Sequence, residues 1–119
     1  MAMMAGAEIS DTQPGLDSIF SALSDPTRRD ILRRIRRYQL TITQIWEPYT
    51  NLTFAAVSKH LKVLEKAGFI IKRKIGRKQY VSLNPVAFKD AEGYLNYYTQ
   101  FWESNLDSLK NYLEGGQDG

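Results

Sequence analysis

Apolar residues recur at helical spacing in three stretches of the first 64 residues. The three stripes are Leu16, Ile19, Phe20 and Leu23; Ile31, Leu32 and Ile35; and Val57, Leu61 and Leu64. Residues three or four positions apart lie on one face of an α-helix, so each stripe predicts a short amphipathic helix with one face directed to a common core. A further short helix that contains Ile45 and Trp46 is predicted between the second and third stripes, which makes four helices.

Capping and breaking residues set the predicted limits of these helices. Ser24-Asp25-Pro26 ends the first helix and starts the second, which is predicted to run to about Tyr38. Thr41 or Thr43 is expected to cap the third helix, and Pro48 limits it. The fourth helix, predicted over residues 53–67, starts at the capping residue Thr53 and stops at Ala67-Gly68. A short polar turn joins the third helix to the fourth, as in a helix-turn-helix.

A change of period follows the fourth helix. The segments 69–75 and 79–83 are rich in β-forming residues, and Gly76 lies between them. This arrangement predicts a β-hairpin over residues 69–83. The fold class expected is mainly α with a small β-hairpin, a winged helix-turn-helix.

The last part of the chain predicts one long helix with an aromatic stripe. From Val86 to Leu113 the apolar residues keep helical period for 28 residues, which corresponds to about 42 Å of helix. So much apolar surface exceeds what a small domain covers, so we expect packing against a second copy of the chain. The alternative is a helix that bends at Gly93 and packs only on its own domain. The domain limits expected are a disordered segment 1–14, a winged-helix domain with its dimerisation helix at 15–113, and a flexible tail at 114–119.

Charge is distributed unevenly along the 119 residues. The net charge is +3, but residues 53–84 carry +7 and residues 85–119 carry −4. A cationic hairpin beside a helix that fits a groove indicates a polyanionic partner, double-stranded DNA. We expect Ser58 and Lys59 to meet bases or phosphates, and Lys62 a phosphate. Thr53 caps the helix and meets a phosphate, and Phe54 either packs against the turn near Leu52 or contacts a thymine methyl group.

Cations of the hairpin and of the second helix, and the single histidine, are further candidates for contacts. Lys74, Arg77 and Lys78 are expected at the hairpin tip, within reach of the DNA backbone or minor groove. Arg28 and Arg29 start a helix, where cations are unfavourable, so each needs a partner, which is Asp25, Asp30 or a phosphate. His60 is the single histidine and is expected to pack or to contact a phosphate.

Composition excludes several classes of protein. There is no cysteine, which excludes disulfides, thiolate metal sites and cysteine nucleophiles. The sequence has no constellation for acid–base or nucleophilic catalysis, so an enzyme is not expected. No metal and no cofactor is expected. There is neither a signal peptide nor a membrane-spanning stretch in the sequence, which predicts a cytoplasmic protein without membrane contact.

Four motifs in order resemble the arsenical-resistance-repressor (ArsR-type) winged-helix family. They are Asp25-Pro-Thr-Arg-Arg29 with Ile31-Leu32; Ala56-Val-Ser-Lys-His-Leu-Lys-Val-Leu-Glu-Lys-Ala-Gly68; Gly76-Arg77 with Tyr80; and Phe101-Trp102-Glu103 with Leu106, Leu109 and Tyr112-Leu113. The resemblance covers residues 16–113, and the last motif resembles a metal-independent branch of the family. It implies a homodimeric bacterial or archaeal repressor that places its fourth helix in the major groove of an inverted-repeat operator, with the wing beside it.

The resemblance also implies roles for further residues. Phe54 and Ala55 occupy positions where many members carry glutamine and a small polar residue facing bases, so a different sequence preference is expected. The first and last helices are expected to form the dimer through Leu16, Ile19, Phe20, Tyr94, Tyr98, Phe101, Trp102, Leu106 and Leu109. Metal sensors of the family use a Cys-x-Cys pair on the third helix, where this chain has Thr43-Gln44-Ile45-Trp46. Others use histidine and acidic residues on the last helix, and the last helix of this chain has no histidine.

Two questions stay open at this level. The sequence identifies neither a small-molecule effector nor the operator or the regulated gene, although regulation of its own transcript is one expectation. The alternative function is a winged-helix module that binds RNA or a protein partner without reading DNA bases.

Overall fold

The computed structural model describes the backbone of residues 14–118 and the side chains of residues 15–115. The predicted disordered segment lies outside the described residues, except for Pro14, which begins the first helix. The elements are α1 (Pro14–Leu23), α2 (Pro26–Arg34), β1 (Leu40–Thr41), α3 (Ile42–Trp46), α4 (Phe54–Lys66), β2 (Ile70–Ile75), β3 (Lys78–Leu83) and α5 (Pro85–Asp118). All the predicted helices and both predicted strands are present, in the predicted order.

Side-chain caps start the helices where the sequence predicts them. The Asp25 carboxylate accepts hydrogen bonds from the backbone N–H groups of Thr27 (2.8 Å) and Arg28 (3.1 Å). Of the two candidates for the third helix, Thr41 is the cap, and it forms a reciprocal capping box with Gln44. These caps satisfy amide groups that have no partner inside their own helix.

The second helix is shorter than predicted. It ends at Arg34, not near Tyr38, because the chain turns there to bring Leu40 and Thr41 beside the hairpin. These two residues form β1, which pairs with Val81 and Tyr80 of β3. The sheet therefore has three antiparallel strands in the order β1-β3-β2, not the two of the predicted hairpin.

The core is a cluster of apolar side chains contributed by all five helices and by the sheet. Ile31, Ile45, Leu61, Phe69 and Val81 are fully buried within it. Gly68 ends α4 with φ +89°, a conformation that favours glycine, and turns the chain so that Phe69 enters the core. A two-residue turn, residues 76 and 77, joins β2 to β3, and Gly76 takes φ +64° there, a conformation that favours glycine.

The last helix extends far beyond the core. It has 34 residues, about 51 Å at 1.5 Å per residue, and it runs through Gly93 without a break. Ala87 and Ala91 are its buried residues, and every described side chain from residue 92 to residue 115 is exposed. The helix continues to Asp118, through most of the segment predicted to be a flexible tail. Within the described part of the chain, no helix is long and apolar enough to cross a membrane.

Candidate nucleic-acid interface

The fourth helix separates a buried face from a cationic face. Val57, Leu61 and Leu64 are fully buried, as the stripe predicts. Lys59 and Lys62 are exposed on the opposite side. Ala55 is also exposed on that side, whereas Ser58 lies half-buried at its edge. The predicted contact residues of α4 are therefore accessible, Ser58 only in part.

The start of α4 is open to solvent. The Thr53 hydroxyl oxygen accepts a hydrogen bond from the Ala56 N–H at 3.0 Å, which confirms its role as the cap. Thr53, Phe54 and Ala55 are all exposed. The positive end of the helix dipole is thus accessible to an anion such as a phosphate.

Phe54 packs against the preceding helix and still keeps free surface. Its ring meets Trp46 edge to face, with 5.6 Å between ring centroids, and 43% of the residue stays exposed. The Trp46 indole Nε1–H donates to the Leu52 carbonyl oxygen at 2.9 Å. Of the two predicted roles of Phe54, the structure shows packing, but the partner is Trp46 at the end of α3 and not the turn near Leu52.

The wing, which is the hairpin formed by β2 and β3, exposes the three cations that the sequence placed at its tip. Lys74, Arg77 and Lys78 are exposed, at the end of β2 and around the turn. A groove of about 460 Å³ lies between the wing tip, α3 and the start of α4, and its lining includes Phe54, Arg77 and Lys78. The helix start and the wing tip therefore border one continuous surface.

One lysine of the basic segment is already neutralised. The Lys72 ammonium lies 3.4 Å from the Glu65 carboxylate, and the lysine side chain is only 14% exposed. This pair joins α4 to β2 and removes Lys72 from the charge available to a partner.

Arg28 and Arg29 bind the end of the first helix. The Arg28 guanidinium donates to the carbonyl oxygens of Ala22 (2.8 Å) and Ser21 (3.1 Å), and Arg29 donates to that of Leu23 (2.7 Å). The last carbonyls of α1 lack partners within the helix and carry its negative dipole end, so cations stabilise them. The partner that the sequence left open is thus the end of a helix, which was not among the candidates.

His60 extends this contact to the fourth helix. Its Nδ1 lies 3.3 Å from an Arg28 guanidinium nitrogen, a geometry in which the ring nitrogen accepts the hydrogen bond. The imidazole is half-buried. Of the two predicted roles, the structure favours the packed one.

A second set of polar contacts holds the turn between α3 and α4. Arg34 donates to the carbonyl oxygens of Ile45 (2.6 Å) and Gln44 (2.9 Å), and its guanidinium lies 5.1 Å from the centre of the Tyr49 ring. The Tyr49 hydroxyl donates to the Asp30 carboxylate at 2.5 Å. These contacts fix the turn to α2, and sequence reasoning missed them.

The hydrogen bond between Tyr49 and Asp30 shifts the pKa values of both side chains. The Tyr49 hydrogen bond, aided by the neighbouring Arg33 and Arg34 cations, holds the pKa of Asp30 below its ordinary value of 3.8 against the opposing effect of burial. Burial, together with the Asp30 carboxylate, raises the pKa of Tyr49 above its ordinary 10.0. Asp30 therefore stays charged and Tyr49 protonated around neutrality.

The predicted dimer residues fall into two groups. Tyr94, Tyr98, Phe101, Trp102, Leu106 and Leu109 are between 39% and 59% exposed on α5. Phe20 of α1 contacts Tyr94, with 5.6 Å between ring centroids, and Leu16 is half-buried. Ile19 is different, because it is only 4% exposed and belongs to the core of its own protomer. Ile19 therefore packs within its own protomer, although the prediction listed it among the dimer contacts.

The helix-turn-helix region matches a family of known regulators. Residues 25–72, from the cap of α2 into β2, fit the model of the "Bacterial regulatory protein, arsR family". The transcriptional repressor SdpR of Bacillus subtilis (strain 168) is 34% identical over 76 residues, which are 64% of this chain and 83% of that protein. The chain belongs to the ArsR family.

Solved structures extend the match of this ArsR-family chain to most of its length. The crystal structure of the ArsR family transcriptional regulator RHA00566 is 33% identical, with a TM-score of 0.70 over 76% of this chain and 92% of that one. An ArsR-like transcriptional regulator from Rhodococcus sp. RHA1 is 26% identical, with a TM-score of 0.73 over 88% of this chain and 95% of that one. The predicted fold class is confirmed: the chain is a winged-helix, DNA-binding transcriptional regulator.

The same comparisons bear on the alternative functions. The family consists of transcriptional regulators, not enzymes, and the DNA-binding function is favoured over an RNA- or protein-binding module. Residues 25–72, which match the family model, include the cationic helix α4.

Sequence reasoning missed the structural role of Trp46, which packs against Phe54 and donates to the Leu52 carbonyl oxygen. Its indole N–H, which requires an acceptor when covered, was the signal for a structural role at the turn.

Proposed function

We propose that this ArsR-family protein is a dimeric repressor that binds an inverted-repeat operator through α4 and the wing. The observation that carries the proposal is the shared cationic surface at the start of α4 and the wing tip. Thr53, Phe54, Ala55, Ser58, Lys59, Lys62, Lys74, Arg77 and Lys78 are its proposed contact residues. In this proposal Lys59 contacts a base edge in the major groove, and the wing cations contact the phosphate backbone, where they supply most of the affinity.

The dimer follows from the uncovered stripe of α5. Ten large apolar side chains from Tyr94 to Leu113 are at least 39% exposed, and soluble monomers seldom expose a continuous apolar patch of that size. A second copy supplies the same stripe, so a two-fold axis through α1 and α5 covers both. In such a dimer the two copies of α4 lie about 34 Å apart and act as recognition helices, which read two half-sites on one face of the duplex. Repression follows from occupation of the operator, which blocks polymerase.

We further propose that this repressor belongs to a metal-independent branch. The chain has no cysteine and one histidine, and that histidine contacts Arg28 instead of facing a ligand site. A metal site of the thiolate or multi-histidine kind has no donors here. A cytoplasmic location, and regulation of its own transcript, belong to the same proposal.

The test is a gel-shift titration of the DNA upstream of its own gene, with scrambled DNA and RNA as competitors. We expect retention of the upstream DNA against both competitors. The double variant Lys59→Ala, Lys62→Ala is expected to abolish the shift while sedimentation and circular dichroism stay unchanged. Lys66→Ala is the control for loss of one lysine from the same helix, because Lys66 is exposed at the far end of α4, about 10 Å along the helix axis from Lys59. Equal binding to every competitor would refute the proposal.

A further inference from the structure

Phe54 presents an apolar ring that the fold leaves partly uncovered at the start of α4, the proposed recognition helix. It is the first residue of α4, and 43% of it is exposed. Its exposed neighbours Thr53 and Ala55 have small side chains. The phenyl ring is therefore the largest apolar group at the helix start, where base edges are approached first.

The ring is held in place by the preceding helix. Trp46 meets it edge to face, with 85° between the ring planes. The Trp46 indole is itself fixed by its hydrogen bond to the Leu52 carbonyl oxygen. A ring fixed in this way loses little rotamer freedom when a ligand contacts it.

The uncovered part of the ring borders the groove shared with the wing. Arg77 and Lys78 line that groove on the opposite side. Cations at the wing attract the phosphates of a DNA strand, and the strand then brings the edges of its bases towards Phe54. Among the groups that bases present in the major groove, the C5 methyl of thymine is the apolar one.

We propose that Phe54 is a specificity-determining residue that reads the C5 methyl group of one thymine in each half-site, and that Trp46 positions it. The inference rests on the proposed placement of α4 in the major groove. This inference names the residue that makes a base contact and the base that it contacts. It also explains why this chain should prefer an operator different from that of family members with glutamine at this position.

The experiment removes the methyl group alone. An operator is first selected from a randomised double-stranded library with the purified full-length protein. Each thymine is then replaced by deoxyuridine, one symmetric pair at a time. At one pair we expect binding about 15-fold weaker, since loss of a buried methyl costs about 0.8 kcal/mol, or about fourfold, in each half-site. Other pairs are expected to change affinity little.

Two variants assign the effect to the ring. Phe54→Ala is expected to bind more weakly but to lose the difference between thymine and deoxyuridine at that pair. Val63→Ala is the matched control, because Val63 is 38% exposed on the same helix, about 13 Å further along. It should keep the full difference. Trp46→Phe keeps an aromatic ring but lacks the indole N–H, and we expect a smaller difference at the pair with an unchanged salt dependence.

The possible outcomes separate this inference from the proposed function. If the wild type prefers its selected operator but no deoxyuridine pair weakens binding, the inference is overturned and the repressor stands. The same holds if Phe54→Ala keeps the full deoxyuridine effect, since another residue then reads the methyl. If selection yields no preferred sequence at all, the proposed function itself fails.

Discussion

Removal of the wing-tip cations should change how the affinity for DNA depends on salt. The double variant Arg77→Ala, Lys78→Ala takes two exposed cations from each protomer. With Lys62 and Lys74, these residues give four proposed phosphate contacts per protomer and eight per dimer. The logarithm of the binding constant should then fall with the logarithm of the salt concentration at a slope of about −7 for the wild type and about −3.6 for the variant.

The difference is large enough for a direct measurement. An increase from about 0.1 M to about 0.2 M salt should weaken wild-type binding about 150-fold and variant binding about 12-fold. Fluorescence anisotropy of a labelled operator at five salt concentrations gives both slopes. Lys72 is left out of the count because Glu65 neutralises it within the fold.

A matched control removes the same charge elsewhere. Lys89→Ala with Lys110→Ala takes two exposed lysines from α5, a helix without proposed DNA contacts, and should leave the slope at the wild-type value. Sedimentation must show dimers for all three proteins. A wing-tip variant that keeps the wild-type slope would show that the wing does not touch the phosphates.

Three other measurements test the dimer, the packing of α1 and the turn. Trp102→Ala should weaken dimerisation at least about 30-fold in sedimentation equilibrium, as expected of a tryptophan at the centre of an interface; an unchanged dimer constant would exclude this stripe. Arg28→Ala should lower the free energy of unfolding, measured in urea, by about 2 kcal/mol, because it leaves the carbonyls at the end of α1 unpaired. Arg29→Ala removes one exposed hydrogen bond and should lower the free energy of unfolding by less. Equal losses in the two variants would contradict this assignment. The lowered pKa of Asp30 contributes stability that is present above its ordinary value of 3.8 and is lost as pH falls through the lowered value. Tyr49→Phe removes the main cause of the lowered pKa, so the unfolding free energy of this variant should fall less steeply as the pH drops below about 5. An unaltered pH profile would show that the hydrogen bond does not set this pKa.

Local signals explain why the recognition helix could be predicted closely from the sequence. A cap such as Thr53, a stripe of three apolar residues and a stop at Gly68 all act within a few residues of one another. The structure places each in its predicted role. The hairpin was predictable for the same reason, since Gly76 and the β-forming residues on either side of it specify a turn without distant partners.

Contacts between distant residues were not predictable in this way. β1 has two residues, too few to show a period, and it exists only because β3 lies beside it. Its pairing also explains why α2 ends early. Phe54 could be placed at the start of α4, but its packing depended on Trp46, eight residues earlier on another helix.

The sequence alone therefore determined the elements, their order, the charged face and the surplus apolar stripe, because periodicity, caps and turns act locally along the chain. Only the tertiary structure decided which partners these groups have. It assigned Arg28 to the end of α1 and to His60, removed Lys72 from the binding surface, and buried Ile19 in its own protomer. The physical reason is that the type of a side chain, charged or apolar, determines which kind of partner stabilises it. The folded chain determines which of several such partners lies within a few ångströms.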